Sequence, residues 1–344
     1  MKMRAAFFKN HGKPKDIEYG YLDTPSPKPH EVLVKVKAAA LNHLDLWTLM
    51  GIPGVKIPLP HIPGCDIAGE VVELGKNVKG IPLNRPVIVA PGIRCGKCSY
   101  CEKNWDSLCP EYKIMGLQTN GGFAQYAVAP AENIIPVSSK LSPEEWASIP
   151  LVYTTAWHML VKHAALQKKE TVLIHAAGSG VGSAAIQLAK HIGATVLTTV
   201  GQPQKIVKAK ALGADYVINY KEKDFADETL KITKGRGVNV VIEHIGPETF
   251  AKSLASLAKR GRLVTCGVTS GPTAEINLRY LFSRQLSVQG SYMGSLRELK
   301  KVIRLVEKGK LKPVVDKIYP LRESQQALER MISRQNFGKI ILIP

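Results

Sequence analysis

The run CGKCSYCEKNWDSLC places Cys95, Cys98, Cys101 and Cys109 with two, two and seven residues between them. Thiolates two residues apart reach one ion from a single turn, and four of them complete a tetrahedral shell. A shell closed in this way leaves no open position for a substrate, so the expectation is one structural Zn2+ per chain. Disulfides and an iron–sulfur cluster are the alternatives. Only six of the 344 residues are cysteine. The basic N-terminus MKMRAAFFKNHGKPK lacks a secretory apolar core, which disfavours disulfides and points to the cytoplasm.

A chain of this length exceeds the size at which a single core stops growing, so two domains of roughly 150 to 200 residues are expected. Apolar residues make up 45% of it, enough for sizeable cores, yet no apolar run approaches the ~18 residues of a membrane span. The formal net charge of +19 raises the question of nucleic acid. The lysines, however, are scattered, as in Lys168-Lys169 and Lys300-Lys301, with no basic tract interleaved with aromatics. Nucleic acid is therefore not expected as a partner; the same field suits anionic cofactors and substrates.

From Met1 to about Pro150 the chain reads as short strands broken by Pro and Gly: MRAAFF, EVLVKVKAAA, IAGEVVEL, RPVIVA and FAQYAVAP. This predicts an irregular β-rich domain with the cysteine lobe, about 93–111, inserted in it. Over 151–291 the texture changes. Six apolar strands (TVLIHA, ATVLTTV, ADYVINY, NVVIEHIG, RLVTCGV and QLSVQGS) alternate with helical patterns in SAAIQLAKHIG, KIVKAKALG and TFAKSLASLAKR. Apolar parallel strands alternating with helices predict an α/β, doubly wound Rossmann-type sheet. The tail, 292–344, carries two helical patterns and a last strand, GKIILIP, and is expected to return to the first domain.

The turn after TVLIHA reads Ala177-Gly178-Ser179-Gly180-Val181-Gly182 and opens a helix. Glycines there permit a tight turn and close backbone approach, and a helix N-terminus aims N–H groups and its positive dipole end at a pyrophosphate. Ala177 and Ser179 fill two of the usual glycine positions, so the place of the turn after the first of six strands is what identifies it. NAD sites commonly end the second strand with an acid for the ribose 2′-hydroxyl. Here Val200-Gly201 ends it, followed by Lys205, with Tyr220 at the end of the third strand, as candidate partners of a 2′-phosphate. NADP(H) is the expected cofactor.

A cysteine lobe ahead of a six-stranded nucleotide domain, with AALNHLDLW, PGCDIAGEVVELG, PLVYTTAWHML, AGSGVG and the closing FGKIILIP in order, resembles the medium-chain dehydrogenase/reductase superfamily of zinc alcohol dehydrogenases and quinone reductases. The resemblance spans nearly the whole chain. It implies a GroES-like catalytic domain from 1–150 and 292–344, with a Rossmann domain between. It also implies that Thr155 lies beside the nicotinamide and that the backbone of Cys266, Gly267 and Val268 lines its carboxamide. The positions matching that family's catalytic zinc ligands hold Asn42, Cys65 and Leu151, and the Asn-x-x-Asp segment is similar to the zinc-free quinone-reductase branch. A displaced zinc on His43, His61, Cys65 and Asp66 is the alternative.

Without a catalytic metal, charge growing on the substrate oxygen needs preorganised donors, each worth roughly 3 to 4 kcal/mol in a dry site. Two or three could stand in for a Lewis acid, most readily where conjugation spreads the charge. Asn42, His43 and Tyr153 are the candidates, His43 or Tyr153 also as proton source, while Asp45 is expected to fix the loop. The expected function is NADP(H)-dependent reduction of ketones, aldehydes or conjugated carbonyls by a homo-oligomer, dimer or tetramer. A zinc alcohol dehydrogenase with atypical ligands and an NADPH-binding protein with little turnover are the alternatives.

Overall fold

The structure, a computed structural model, describes residues 1–344. The chain divides into two compact units, Met1–Val152 with Ser295–Pro344, and Tyr153–Gly294. No helix is long and apolar enough to cross a membrane.

The first unit is built on a seven-stranded sheet. Along it run Val315–Pro320, Lys339–Ile343, Glu31–Ala40, Asp66–Leu74, Pro86–Val89 and Ile134–Pro136, with Tyr126–Pro130 also paired to Glu31–Ala40. The strand Glu31–Ala40 is long enough to hold three partners because bulges at Leu33/Val34 and Val36/Ala38 bend it. Gly69 lies where its strand crosses the Lys35 carbonyl so closely that any Cβ would collide with it. The last strand of the tail joins antiparallel, with Ile341 opposite Ala40, and Ala40 is also opposite Asp66 across its other edge. That register brings Lys339 and Asp66 to the same end of the central strand. The cysteine lobe consists of a strand pair, Gly92–Ile93 with Lys113–Ile114, and two short helical turns, Ser99–Glu102 and Asp106–Leu108.

The second unit is a parallel sheet of six strands in the order Tyr216–Asn219, Thr195–Val200, Thr171–Ile174, Val238–Glu243, Leu257–Thr265, Ser287–Gly290. The order reverses on either side of Thr171–Ile174, the switch point at which such sheets hold ligands outside their carboxyl ends. Leu173, Leu197, Ile218, Val241 and Leu263 form its core with Phe225, Phe250 and Leu254. The helix Gly180–Ile192 runs from an Ser179 cap to Gly193, whose φ of 93° ends it.

One sequence expectation changes here. The helical pattern TFAKSLASLAKR yields a helix only over Pro247–Ala255, and the LAKR portion begins the strand Leu257–Thr265. Pairing of Leu257 with Val238 and the bond from Val238 N–H to the Ser256 carbonyl outcompete local helix propensity at that point.

Candidate functional site

Three arrangements carry chemistry, two in the first unit and one in the second. The sulfurs of Cys95, Cys98, Cys101 and Cys109 all lie within 4.8 Å of one another, with Cys98 and Cys101 at 3.5 Å and Cys95 and Cys101 at 4.0 Å. Zinc–sulfur bonds of about 2.3 Å place tetrahedral sulfurs roughly 3.8 Å apart, so the donor set fits one zinc. All six cysteines are free thiols. Backbone N–H groups of Lys97 and Cys98 pull the Cys95 thiol down to about 7, whereas burial and the adjoining thiols push Cys101 up to about 12. Four crowded thiols cannot all ionise alone; a dication among them removes that conflict. The lobe is tied to its unit by buried Asp106, which accepts from Leu296 N–H at 2.8 Å and pairs with Arg94 at 3.3 Å.

The second arrangement is a buried ionic cluster that sequence reasoning missed. Asp66 Oδ2 accepts from Lys339 Nζ at 2.9 Å and from Asn42 Nδ2 at 2.8 Å, and its Oδ1 accepts from Leu151 N–H at 2.7 Å. Lys339 Nζ also donates to Asn42 Oδ1 at 2.5 Å and to the Leu41 carbonyl at 2.6 Å, which uses all three of its protons. The Asn42 amide reaches Cys65 Sγ at 3.3 Å as well. Burial, reinforced by Asp66 and Asp45, raises the Cys65 thiol well above its ordinary range. Thus Asn42, Cys65 and Leu151 come together around Asp66, with a lysine ammonium among them. The signal that could have revealed the pair is a charge inside each of two apolar runs, GCDIAG and GKIILI.

Asp45 sits beside this cluster on the helix His43–Met50, accepting from Asn42 N–H at 2.7 Å and Gly64 N–H at 3.0 Å, and burial raises its carboxyl to about 7. His43 starts that helix half-buried, its ring edge-on to Trp47 with centroids 5.0 Å apart. His61, fully buried, turns Nε2 to the Gly116 carbonyl at 3.0 Å. The His43, His61, Cys65 and Asp66 set does not form a ligand group; the four-cysteine cluster is where three or more such side chains converge.

In the second unit, Ser179 Oγ accepts from Gly182 N–H at 2.8 Å and so caps the helix that follows. Gly182 admits no side chain because a Cβ would strike the Ala176 carbonyl. Gly178, Gly180 and Val181 complete the turn. Gly201 follows the second strand and lies against the Tyr220 hydroxyl, and half-buried Lys205 lies in the first turn of the next helix, Gln204–Ala211. Gly267 lies against the His244 carbonyl, Cys266 N–H donates to the Glu243 carbonyl at 3.1 Å, and Val268 is exposed. Thr155 and Tyr153 are buried on the helix Pro150–Trp157. The Tyr153 hydroxyl accepts from Gln187 at 2.9 Å, and burial raises its pKa.

The family profiles agree with this geometry. The alcohol dehydrogenase GroES-like domain matches residues 28–139, and the zinc-binding dehydrogenase domain matches 180–308. An NAD-dependent alcohol dehydrogenase of Sulfolobus acidocaldarius is 33% identical over 99% of both chains. The chain belongs to the medium-chain dehydrogenase/reductase superfamily. Within that superfamily it is also similar to a human quinone oxidoreductase, 30% identical over 93% of this chain and 91% of that one. A crystal structure of an NAD-dependent alcohol dehydrogenase superposes with a TM-score of 0.95 at 41% identity, covering 99% of this chain and 100% of the other. The superfamily membership makes the chain an oxidoreductase of the alcohol dehydrogenase/reductase kind.

Proposed function

We propose that this oxidoreductase uses NADP(H) to reduce ketones, aldehydes or conjugated carbonyls, and that it does so without a catalytic zinc. The observation that carries the reading is the buried cluster. At the positions where the superfamily's zinc enzymes place metal ligands stand an amide, a thiol and a leucine, and the amide and thiol hydrogen-bond to each other. A lysine ammonium already satisfies the carboxylate among them. One soft donor among three, its thiol held protonated by burial, is a poor zinc site.

The nicotinamide, when bound, supplies the hydride. Asn42 has its N–H groups directed at Asp66 and Cys65 and its oxygen held by Lys339, so we assign it to holding the loop that bears His43. Asp45 does the same from the other side through Asn42 N–H and Gly64 N–H. His43, half-buried, is then the proton source, and buried Tyr153 a packing residue. The absence of an acid at the end of the second strand, with Tyr220 against Gly201 and Lys205 in the first turn of the helix that follows, supports NADP(H) over NAD(H).

We also propose a homo-oligomer in the cytoplasm. The strand Ser287–Gly290 is an open sheet edge, and Ile276, Leu278 and Phe282 nearby in sequence are exposed. Light scattering giving twice or four times the 37.6 kDa chain mass supports this; a monomer refutes it.

The deciding experiment measures zinc per chain before and after mild chelation, with NADPH- and NADH-dependent reduction of a ketone, enone and quinone panel on both samples. One retained zinc with unchanged, NADPH-preferring turnover is the expected result. Two zincs, with activity leaving alongside the labile one, would establish a zinc alcohol dehydrogenase. NADPH binding with no turnover across the panel would establish a binding protein.

A further inference from the structure

A second buried polar group lies in the 153–294 unit, outside every residue assigned above. Glu243, fully buried at the end of its strand, accepts at Oε1 from Ile245 N–H at 2.7 Å and Gly246 N–H at 3.3 Å. Its Oε2 accepts from Thr249 at 2.9 Å and from Ser253 at 2.8 Å. Ser253 Oγ also lies 2.8 Å from His175 Nε2, and His175 Nδ1 lies 3.3 Å from Thr199 Oγ1. Thr199 Oγ1 in turn accepts from Ala176 N–H at 2.9 Å.

The proton positions follow from these contacts. Four donors, from Ile245, Gly246, Thr249 and Ser253, converge on the two Glu243 oxygens and leave no place for a proton, so the carboxylate accepts only. Burial presses the His175 imidazole down to about 4, so it is neutral. Ser253 has one proton, and it goes to the carboxylate. His175 must then carry its proton on Nε2 and donate to Ser253, which leaves Nδ1 to accept from Thr199. The Thr199 oxygen is left to accept from Ala176. Every bond in the chain therefore points the same way, from Ala176 toward Glu243.

Ala176 is where this direction has an effect. Its φ is +51°, a left-handed conformation in which the alanine Cβ is strained against its own backbone. Its carbonyl accepts from Ser179 N–H at 2.9 Å and is the group that forbids a side chain on Gly182. The strained residue thus sets the glycine turn and the helix cap.

We propose that Thr199, His175, Ser253 and Glu243 form a one-directional hydrogen-bond chain that holds Ala176 left-handed and so preforms the dinucleotide turn, making them positioning residues for the cofactor. The inference rests on the reading of that turn as the cofactor site.

The test is a fluorescence titration of NADPH and NADH into wild type, Thr199→Val, Thr199→Ser, Ser253→Ala and the Thr199→Val/Ser253→Ala double variant, with melting temperatures recorded alongside. Thr199→Val and Ser253→Ala should each raise Kd for the preferred cofactor about tenfold, close to 1.4 kcal/mol. Thr199→Ser should bind within about twofold of wild type, and the double variant should lose little beyond the worse single one, because either break interrupts the same chain. Unchanged Kd in both single variants overturns the inference even where melting falls. So do strictly additive losses, or a failure of Thr199→Ser to restore binding. Should Thr199→Val not fold, Ser253→Ala against wild type decides alone. Wild type binding neither dinucleotide would instead overturn the cofactor reading.

Discussion

Lys339 Nζ lies 2.9 Å from Asp66 Oδ2 with the two side chains 4% and 0% exposed, the most deeply buried lysine–carboxylate pair in the chain. Removing one partner leaves the other charged and dry, at a cost of about 3 to 5 kcal/mol. Lys339→Met should therefore lower unfolding stability in urea by that amount. The Lys339→Met/Asp66→Asn double variant, with no charge left, should recover most of it. A double variant as unstable as the single one would show that Lys339 acts through packing alone.

The cysteine lobe should behave as a structural element. Cys101→Ser is expected to reduce bound zinc from one to none. A loss of about 3 kcal/mol would lower the melting temperature by roughly 6 to 12 °C for a unit of this size. Turnover per folded molecule at 20 °C should stay within about twofold. Elemental analysis with calorimetry checks the first two, and a kcat that falls with the zinc would contradict a purely structural role.

Two buried groups should give opposite pH signatures. His175 is held near 4 by burial against about 6.5 unfolded, so between those values the unfolded chain binds more protons and stability rises with pH. That contribution is complete above pH 6.5 and is lost as pH falls toward 4. Asp45 is raised to about 7 against about 3.9 unfolded, so the folded chain binds more protons and stability falls as pH rises through that window. Relative to His175→Gln, wild type should gain stability from pH 4 to 6.5. Relative to Asp45→Asn, it should lose stability from pH 4 to 7, each by at most about 1.4 kcal/mol per pH unit. Urea unfolding across that range measures both slopes, and a slope of the reverse sign would reject the assigned protonation state.

Lys205→Ala should weaken NADPH about tenfold while changing NADH less than twofold, since only the former offers a 2′-phosphate to a charge-assisted bond of about 1.5 to 3 kcal/mol. Isothermal titration with each dinucleotide gives the comparison. Equal losses for both would remove Lys205 from 2′-phosphate recognition.

The elements legible in the sequence were those fixed by local spacing. The four cysteines lie within one short segment, so a site for one ion could be read from their intervals. The six apolar strands announced a parallel sheet, and the glycine turn was recognisable because it follows the first of them. The helix ending at Ala255 was not, because the strand ladder at Val238 and Leu257 overrides the pattern there.

Asp66 and Lys339 stand 273 positions apart and meet because Ala40 pairs with both of their strands. Glu243 and Thr199 lie on two strands, Ser253 on a helix and His175 just past a third strand, and each looked like an ordinary polar residue until the sheet order brought them together. Short-range spacing determined the four-cysteine cluster, the fold class and the capped glycine turn. Strand register and sheet order decided the two buried polar networks, because an interior charge is tolerated only where partners from distant segments converge on it.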